Sequence, residues 1–175
     1  MPSEKALELQ ITTVQDPILE KVALKIQAQW AKIGIEVSIQ ALPISELEQN
    51  VVKPRNYQML LFGEALTAVP DPFPFWHSSQ IKDPGLNLAK YENSATDKLL
   101  ETARTTLDEQ ERAKQYLAFQ NIIIEQTPAL FLYTPEYIYM TSGKLKGFEG
   151  TVIFDPSQRF SGIEMWYTKT KRTWR

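Results

Sequence analysis

The stretch from Leu7 to Ala41 constrains the fold more than any other part of the chain. Leu7-Glu8-Leu9-Gln10-Ile11-Thr12 alternates apolar and polar residues with period two, which predicts a strand with one buried face. Asp16-Pro17 follows. Asp is a good N-cap, and proline at the first helical position loses no needed hydrogen bond. Leu19, Val22, Ala23, Ile26, Trp30 and Ile33 then recur at helical spacing, with Gly34 as the expected C′ residue. Ile35, Val37, Ile39 and Ala41 alternate with Glu36, Ser38 and Gln40, a second strand. Strand, helix and strand in so little chain imply a crossover and a parallel pair.

The chain continues in the same vein. Ser45 to Val52 reads as a short helix or turn. Tyr57 to Phe62 is mostly apolar and ends at Gly63, which suits a central strand covered on both faces. From Ala65 to Leu88 the prolines Pro70, Pro72, Pro74 and Pro84 forbid a long helix or inner strand. Ser94-Ala95-Thr96-Asp97 resembles a capping box opening a helix with Leu99, Leu100 and Ala103 inward. Asp108 to Glu111 opens another, with Ala113, Tyr116, Leu117 and Ile123 or Ile124 inward and Thr127-Pro128 as its stop. The joint near Leu107 predicts a hairpin or elbow. Ala129 to Met140, rich in β-branched and aromatic residues, predicts an extended strand broken or edged at Pro135. The apolar pattern resumes from Ile163 to Tyr167. The basic tail from Lys169 to Arg175 is expected to fray and to be solvated, because no nucleic-acid groove signature accompanies it.

Composition removes whole classes of function. With 175 residues the chain suits one domain or slightly more and can bury a real core. There is no Cys, hence no disulfide framework, thiol nucleophile, iron–sulfur cluster or zinc knuckle. The single histidine, His77, rules out a His-rich metal site within one chain, and any Ser-His-Asp triad would run through it. The formal net charge of -2 provides no basic field for nucleic acid or anionic lipid. No window reaches the roughly 18 apolar residues of a membrane span. Met1 to Lys5 lacks the basic region and long apolar run of a signal peptide.

Two stretches carry a family resemblance. One is Asn87-x3-Tyr91-x-Asn93-x3-Asp97-x-Leu99-Leu100; the other is Asp108-x3-Arg112-x3-Tyr116, continuing through Gln120 and Ile124 to Pro128-Ala129-Leu130. Together they resemble the C-terminal part of the family 5 extracellular solute-binding proteins, the oligopeptide-, dipeptide- and nickel-type receptors of ABC importers. Leu7 to Ala41, the Tyr57–Gly63 run with Asp71-Pro72 after it, Lys146-Gly147-Phe148 and Trp166-Tyr167 agree, so the likeness covers roughly Leu7 to Tyr167. The resemblance implies an α/β fold: a lobe of periplasmic-binding-protein type II, with a mixed, mostly parallel sheet flanked by helices. Family members are about three times this length, more than one domain's worth. The chain therefore reads as a fragment. Residues 1–140 are the second, C-terminal ligand-binding lobe; residues 141–175 are the return segment toward the absent first lobe, with the basic tail.

Such receptors bind without catalysing, and the resemblance implies no cofactor. Its implied partners are a peptide or other small solute, the ABC transporter permease and the missing N-terminal lobe. Its implied location is periplasmic, or extracellular and membrane-anchored, in the full-length parent. The cleft candidates are Glu64, Thr67, Asp71, Phe73, Trp76 and His77. In peptide-binding members an acid about three residues before the Asp-Pro pair holds the ligand α-amine, and Ala68 stands there. Glu64 falls where those members commonly carry Trp. Both departures open the ligand class to an oligosaccharide, an opine-like compound or a metal complex.

Several of these residues, and some of their neighbours, also have a plainer reading. Asp71 before Pro72 initiates a turn. Phe75 and Trp76 pack in a core. His77 is a hydrogen-bonded structural residue. Asp97 caps a helix and Arg112 pairs with nearby acids. Two other functions compete with the receptor lobe. One is a stand-alone α/β interaction domain without a transport role. The other is a carboxylate-dependent hydrolase, for which the 21 acidic residues offer no spaced pair that singles itself out.

Overall fold

A computed structural model describes residues 7–64, 71–135, 137–148 and 156–169. It divides into two units: Met1–Ala65 with Asp71–Leu130, and Leu66–Pro70 with Phe131–Arg175.

The first unit is built on a parallel sheet. Strand β1 (Leu7–Val14) lies between β2 (Ile35–Leu42) and β3 (Met59–Leu61). Ile11 pairs with Ile39 on one side and Met59 on the other, so the three apolar side chains share a face. Helix α1 (Pro17–Ala31) covers that face. Ala23, Ile11 and Val37 form the buried centre, with Ile26, Trp30 and Ile39 against them. Each large apolar side chain buried there contributes about 1.5–3 kcal/mol. Asp16 caps α1 as the sequence predicts, its carboxylate accepting from Ile18 N–H at 2.9 Å and Leu19 N–H at 3.0 Å. The helix closes at Lys32, one residue earlier than expected. Gly34 still takes the left-handed conformation, φ 81°, while Ile33 lies exposed.

On the opposite face, α2 (Ile44–Leu47) continues as a π turn, Glu48–Val52, and buries Leu47 and Val51. Thr12 and Thr13 are buried in the middle strand; Thr13 donates to the Leu61 carbonyl at 2.8 Å. The Tyr57–Gly63 run is not the central strand it resembles. Only three of its residues pair, at the sheet edge, and all three are half-buried. An apolar run shows that a strand is covered but not where in the sheet it lies; β1, with its polar threonines, takes the middle.

Helices α4 (Ser94–Thr105) and α5 (Glu109–Gln126) form the second core of this unit. Leu100, Phe119 and Ile123 are buried there with Tyr91. Asp108 caps α5 through the Glu111 N–H at 2.8 Å. The inward face of α5 runs through Tyr116, Phe119 and Ile123, whereas Ala113, Leu117 and Ile124 face solvent. The N-cap of α4 is Asn93, not Ser94: its side chain accepts from Ala95 N–H at 2.9 Å and Thr96 N–H at 3.3 Å.

In the second unit, β4 (Leu145–Lys146) pairs antiparallel with β5 (Tyr167–Thr168). Gly147 sits at φ 75°, where an added Cβ would lie 2.0 Å from the Met165 carbonyl oxygen. Phe148 and Trp166 meet edge to face at 5.4 Å, with Tyr139 and Phe160 on their flanks. The expected strand from Ala129 to Met140 does not form among the described residues. Leu130, Phe131, Leu132, Ile138 and Met140 are exposed. β-propensity measures fit to a pleated, half-buried surface, and without a neighbouring strand it does not by itself make one. The basic tail beyond Lys169 lies outside the described residues.

Candidate functional site

The candidate residues follow β3 in the chain. Phe62, Gly63 and Glu64 leave the strand and are exposed. Although Glu64 has open surface, the surrounding protein withdraws water from its carboxyl, and this burial pushes it up to about 7. Burial also raises the Tyr57 phenol; the Arg55 charge lowers it and the Glu64 charge raises it further. Thr67 and Ala68 lie outside the described residues.

At Asp71 a turn forms, the carboxylate accepting the Phe73 N–H at 3.2 Å. The short helix α3 (Phe73–Trp76) follows, with a proline in its first turn. Arg104 on α4 grips Asp71: Nη2 is 2.6 Å and Nε 3.0 Å from Oδ2, and Nε is 3.3 Å from Oδ1. The Arg104 guanidinium lies 3.9 Å over the Phe73 ring, which stacks on His77 at 4.1 Å. Salt bridge, cation–π contact and ring stack thus make one column from α4 to the loop.

His77 is buried. Its Nδ1 accepts the Ser79 N–H at 3.1 Å, which assigns the proton of the neutral ring to Nε2. That nitrogen faces Glu101 at 3.3 Å and Asp97 at 3.9 Å. The Ser79 hydroxyl lies 2.8 Å from Nδ1. Asp97, expected to cap α4, instead holds the loop, accepting from Ser78 N–H at 2.9 Å and Ser78 O–H at 2.5 Å. Asn87, fully buried, donates to the carbonyls of His77 at 3.1 Å and Tyr91 at 2.8 Å and accepts the Tyr91 N–H. Trp76 meets Tyr91 and Phe119 edge-on at 6.2 and 6.3 Å.

Asp71, Phe73 and His77 therefore come together, while Trp76 packs toward the helical core. Arg112, on α5, approaches Glu109 at 4.0 Å. The residue that sequence reasoning missed is Arg104. Asp97, Glu101 and Arg104 stand at i, i+4 and i+7, one stripe of a helix, and that spacing was the available signal. Among the described residues no group of three His, Asp or Glu side chains could hold a metal. Elsewhere in the first unit, an open polar depression of about 650 Å³ is lined by Gln10, Gln40, Asn50, Arg55, Asn56 and Gln58, among others, and by none of the described candidates.

A parallel sheet flanked by helices, with a tied-down loop beyond its edge strand, defines the class: the structural neighbours are type II periplasmic binding proteins. The structure of oligopeptide-binding protein AppA from Bacillus subtilis, in complex with a nonapeptide, superposes at TM-score 0.72 and 28% identity, covering 97% of this chain and 35% of that one. NikZ from Campylobacter jejuni, in complex with Ni(L-His), gives TM-score 0.59 and 27% identity over 70% of this chain and 25% of its own. In sequence, AppA is 32% identical over 157 residues, 89% of this chain and 28% of AppA. A probable D,D-dipeptide-binding periplasmic protein of Escherichia coli K12, DdpA, is 31% identical over 144 residues, 81% of this chain and 27% of its own. No family model matches the chain. AppA and DdpA are oligopeptide- and dipeptide-binding proteins of family 5, and the likeness fits a fragment of such a protein. It spans about a quarter of the length of the curated relatives it matches.

Proposed function

We propose that this chain supplies one side of an interlobe cleft in an ABC importer substrate-binding protein, which captures a peptide or other small solute and delivers it to the membrane permease. The observation that carries this reading is the likeness to AppA, in sequence and in backbone, over nearly the whole chain. Residues 1–140 act as the ligand-binding lobe and 141–175 as the return segment. The protein binds without catalysing and works in the periplasm or at the outer face of the cell. The homologues are periplasmic or extracellular, and no helix among the described residues is long and apolar enough to cross a membrane.

Glu64 and Thr67 face the solute in this reading. Asp71, Phe73 and His77 support the loop, because the Asp71 carboxylate is held by Arg104 and His77 is buried. A micromolar ligand is worth about 8 kcal/mol; one lobe supplying half of that holds it at about 1 mM. Hinge closure, which traps a ligand between two lobes, needs both of them.

NMR titration of the chain with a nonapeptide, and separately with Ni(L-His), tests this. The expected result is saturable shifts confined to Glu64–Ser79, with one of the two probes, at millimolar concentration. Shifts absent with both, or scattered over α1 and α5, contradict it.

A further inference from the structure

The first unit holds two separate apolar clusters, one between the sheet and α1 and one around α4 and α5. Three side chains join them. Arg55, after the π turn, donates from Nε to the Ile81 carbonyl at 2.8 Å, from Nη2 to the Gly85 carbonyl at 2.5 Å and from Nη1 to the Val52 carbonyl. Tyr57 donates to the Leu88 carbonyl at 2.5 Å. In the opposite direction Lys90 sends its ammonium to the carbonyls of Arg55 at 3.5 Å and Tyr57 at 3.4 Å, and lies 4.6 Å over the Tyr57 ring.

Both cations stand in the left-handed backbone region, Arg55 at φ 59° and Lys90 at φ 53°. That region disfavours any residue with a Cβ, and glycine is its usual occupant. Two long side chains are kept there, and each reaches back to the other's segment. Such outliers persist where the surroundings over-determine them.

We propose that Arg55 and Lys90 form a reciprocal clasp that positions the helical part of this unit against its sheet. Resting on the solute-binding reading above, it sets the spacing between Glu64 at the end of β3 and the Asp71–His77 loop carried by α4. The pair does not touch the solute; it is a positioning device. Its guanidinium is matched by three carbonyls drawn from two segments, a geometry that one lysine ammonium cannot reproduce.

The test needs no ligand, so its failure is separate from failure of the functional reading. Amide hydrogen exchange is followed in the whole chain and in Arg55→Gly, Arg55→Lys and Lys90→Gly. If the clasp positions the layers, Arg55→Gly accelerates exchange in Ile81–Tyr91 at least tenfold and leaves Leu9–Thr13 of β1 unchanged. Arg55→Lys fails to restore protection, and Lys90→Gly gives a smaller acceleration in the same segment. Spin labels at Lys25→Cys and Gln120→Cys, in a chain with no other Cys, then show a broadened distance distribution in Arg55→Gly. Two outcomes overturn the proposal. One is unchanged or slower exchange, meaning that glycine merely relieves a turn. The other is equal acceleration in β1, meaning that the pair holds the whole fold rather than the junction.

Discussion

Arg104 holds Asp71 through Nη2 and Nε while its guanidinium covers the Phe73 ring at 3.9 Å. The acid that looks most available for a ligand amine is thus already engaged by its own protein. Both side chains are partly exposed, so the coupling is modest. A double-mutant cycle of Arg104→Met and Asp71→Asn, measured by urea unfolding, should give about 0.5–1 kcal/mol. A coupling of zero would mean that the column does not hold the loop.

The cap of α4 separates two neighbouring polar residues. Asn93→Ala should lose about 1 kcal/mol in denaturant unfolding, because two N–H groups lose their acceptor. Ser94→Ala should be close to neutral. The reverse order would restore Ser94 as the cap.

Leu100 is 1% exposed at the centre of the helical core. Leu100→Ala should cost about 2–5 kcal/mol through lost burial and the cavity left behind. Leu107→Ala, at a position 94% exposed, should be near-neutral. Equal losses would contradict the packing.

Glu64 gives a pH signature. Its carboxyl is raised to about 7 by burial from an ordinary value of 4.5, so the folded chain binds a proton more readily than the unfolded one between those values. Stability contributed by the neutral acid is present below pH 4.5 and is lost as pH rises through about 7. Glu64→Gln should therefore melt higher than the parent at pH 8 and converge with it at low pH. A difference that grows toward acid pH would reverse the sign and the cause.

Gly147 cannot carry a side chain without striking the Met165 carbonyl. Gly147→Ala should loosen the β4–β5 pair, visible as loss of protection at Lys146 and Tyr167, and leave α1 unaffected. Unchanged protection would contradict the close approach.

Where the fold could be read from the sequence, one local signal sufficed. Asp16-Pro17 and the period-two runs on either side of the helix specify β1, α1 and β2, and the parallel register follows. Where it could not, the deciding information was non-local. Tyr57–Phe62 is apolar enough for a central strand, yet its place is set by which strand β1 accepts on each side. Ala129–Met140 has strand chemistry and no paired neighbour among the described residues. Asp97 has the spacing of a capping residue, but Ser78 reaches it across 19 positions of sequence. The candidate site was legible as a region, because prolines and aromatics mark the loop. The role of each residue was not, because the partners sit on α4.

Furnishing half of a solute cleft is the role proposed for this chain. The decisive experiment replaces the matched part of AppA with this chain and titrates the chimera with the nonapeptide and, separately, with Ni(L-His), AppA itself serving as control. The expected result is a chimera that unfolds cooperatively and captures one of the two probes at micromolar concentration, with hinge closure seen as a more compact form by small-angle scattering. A folded chimera that captures neither the nonapeptide nor Ni(L-His) and stays open would overturn that role.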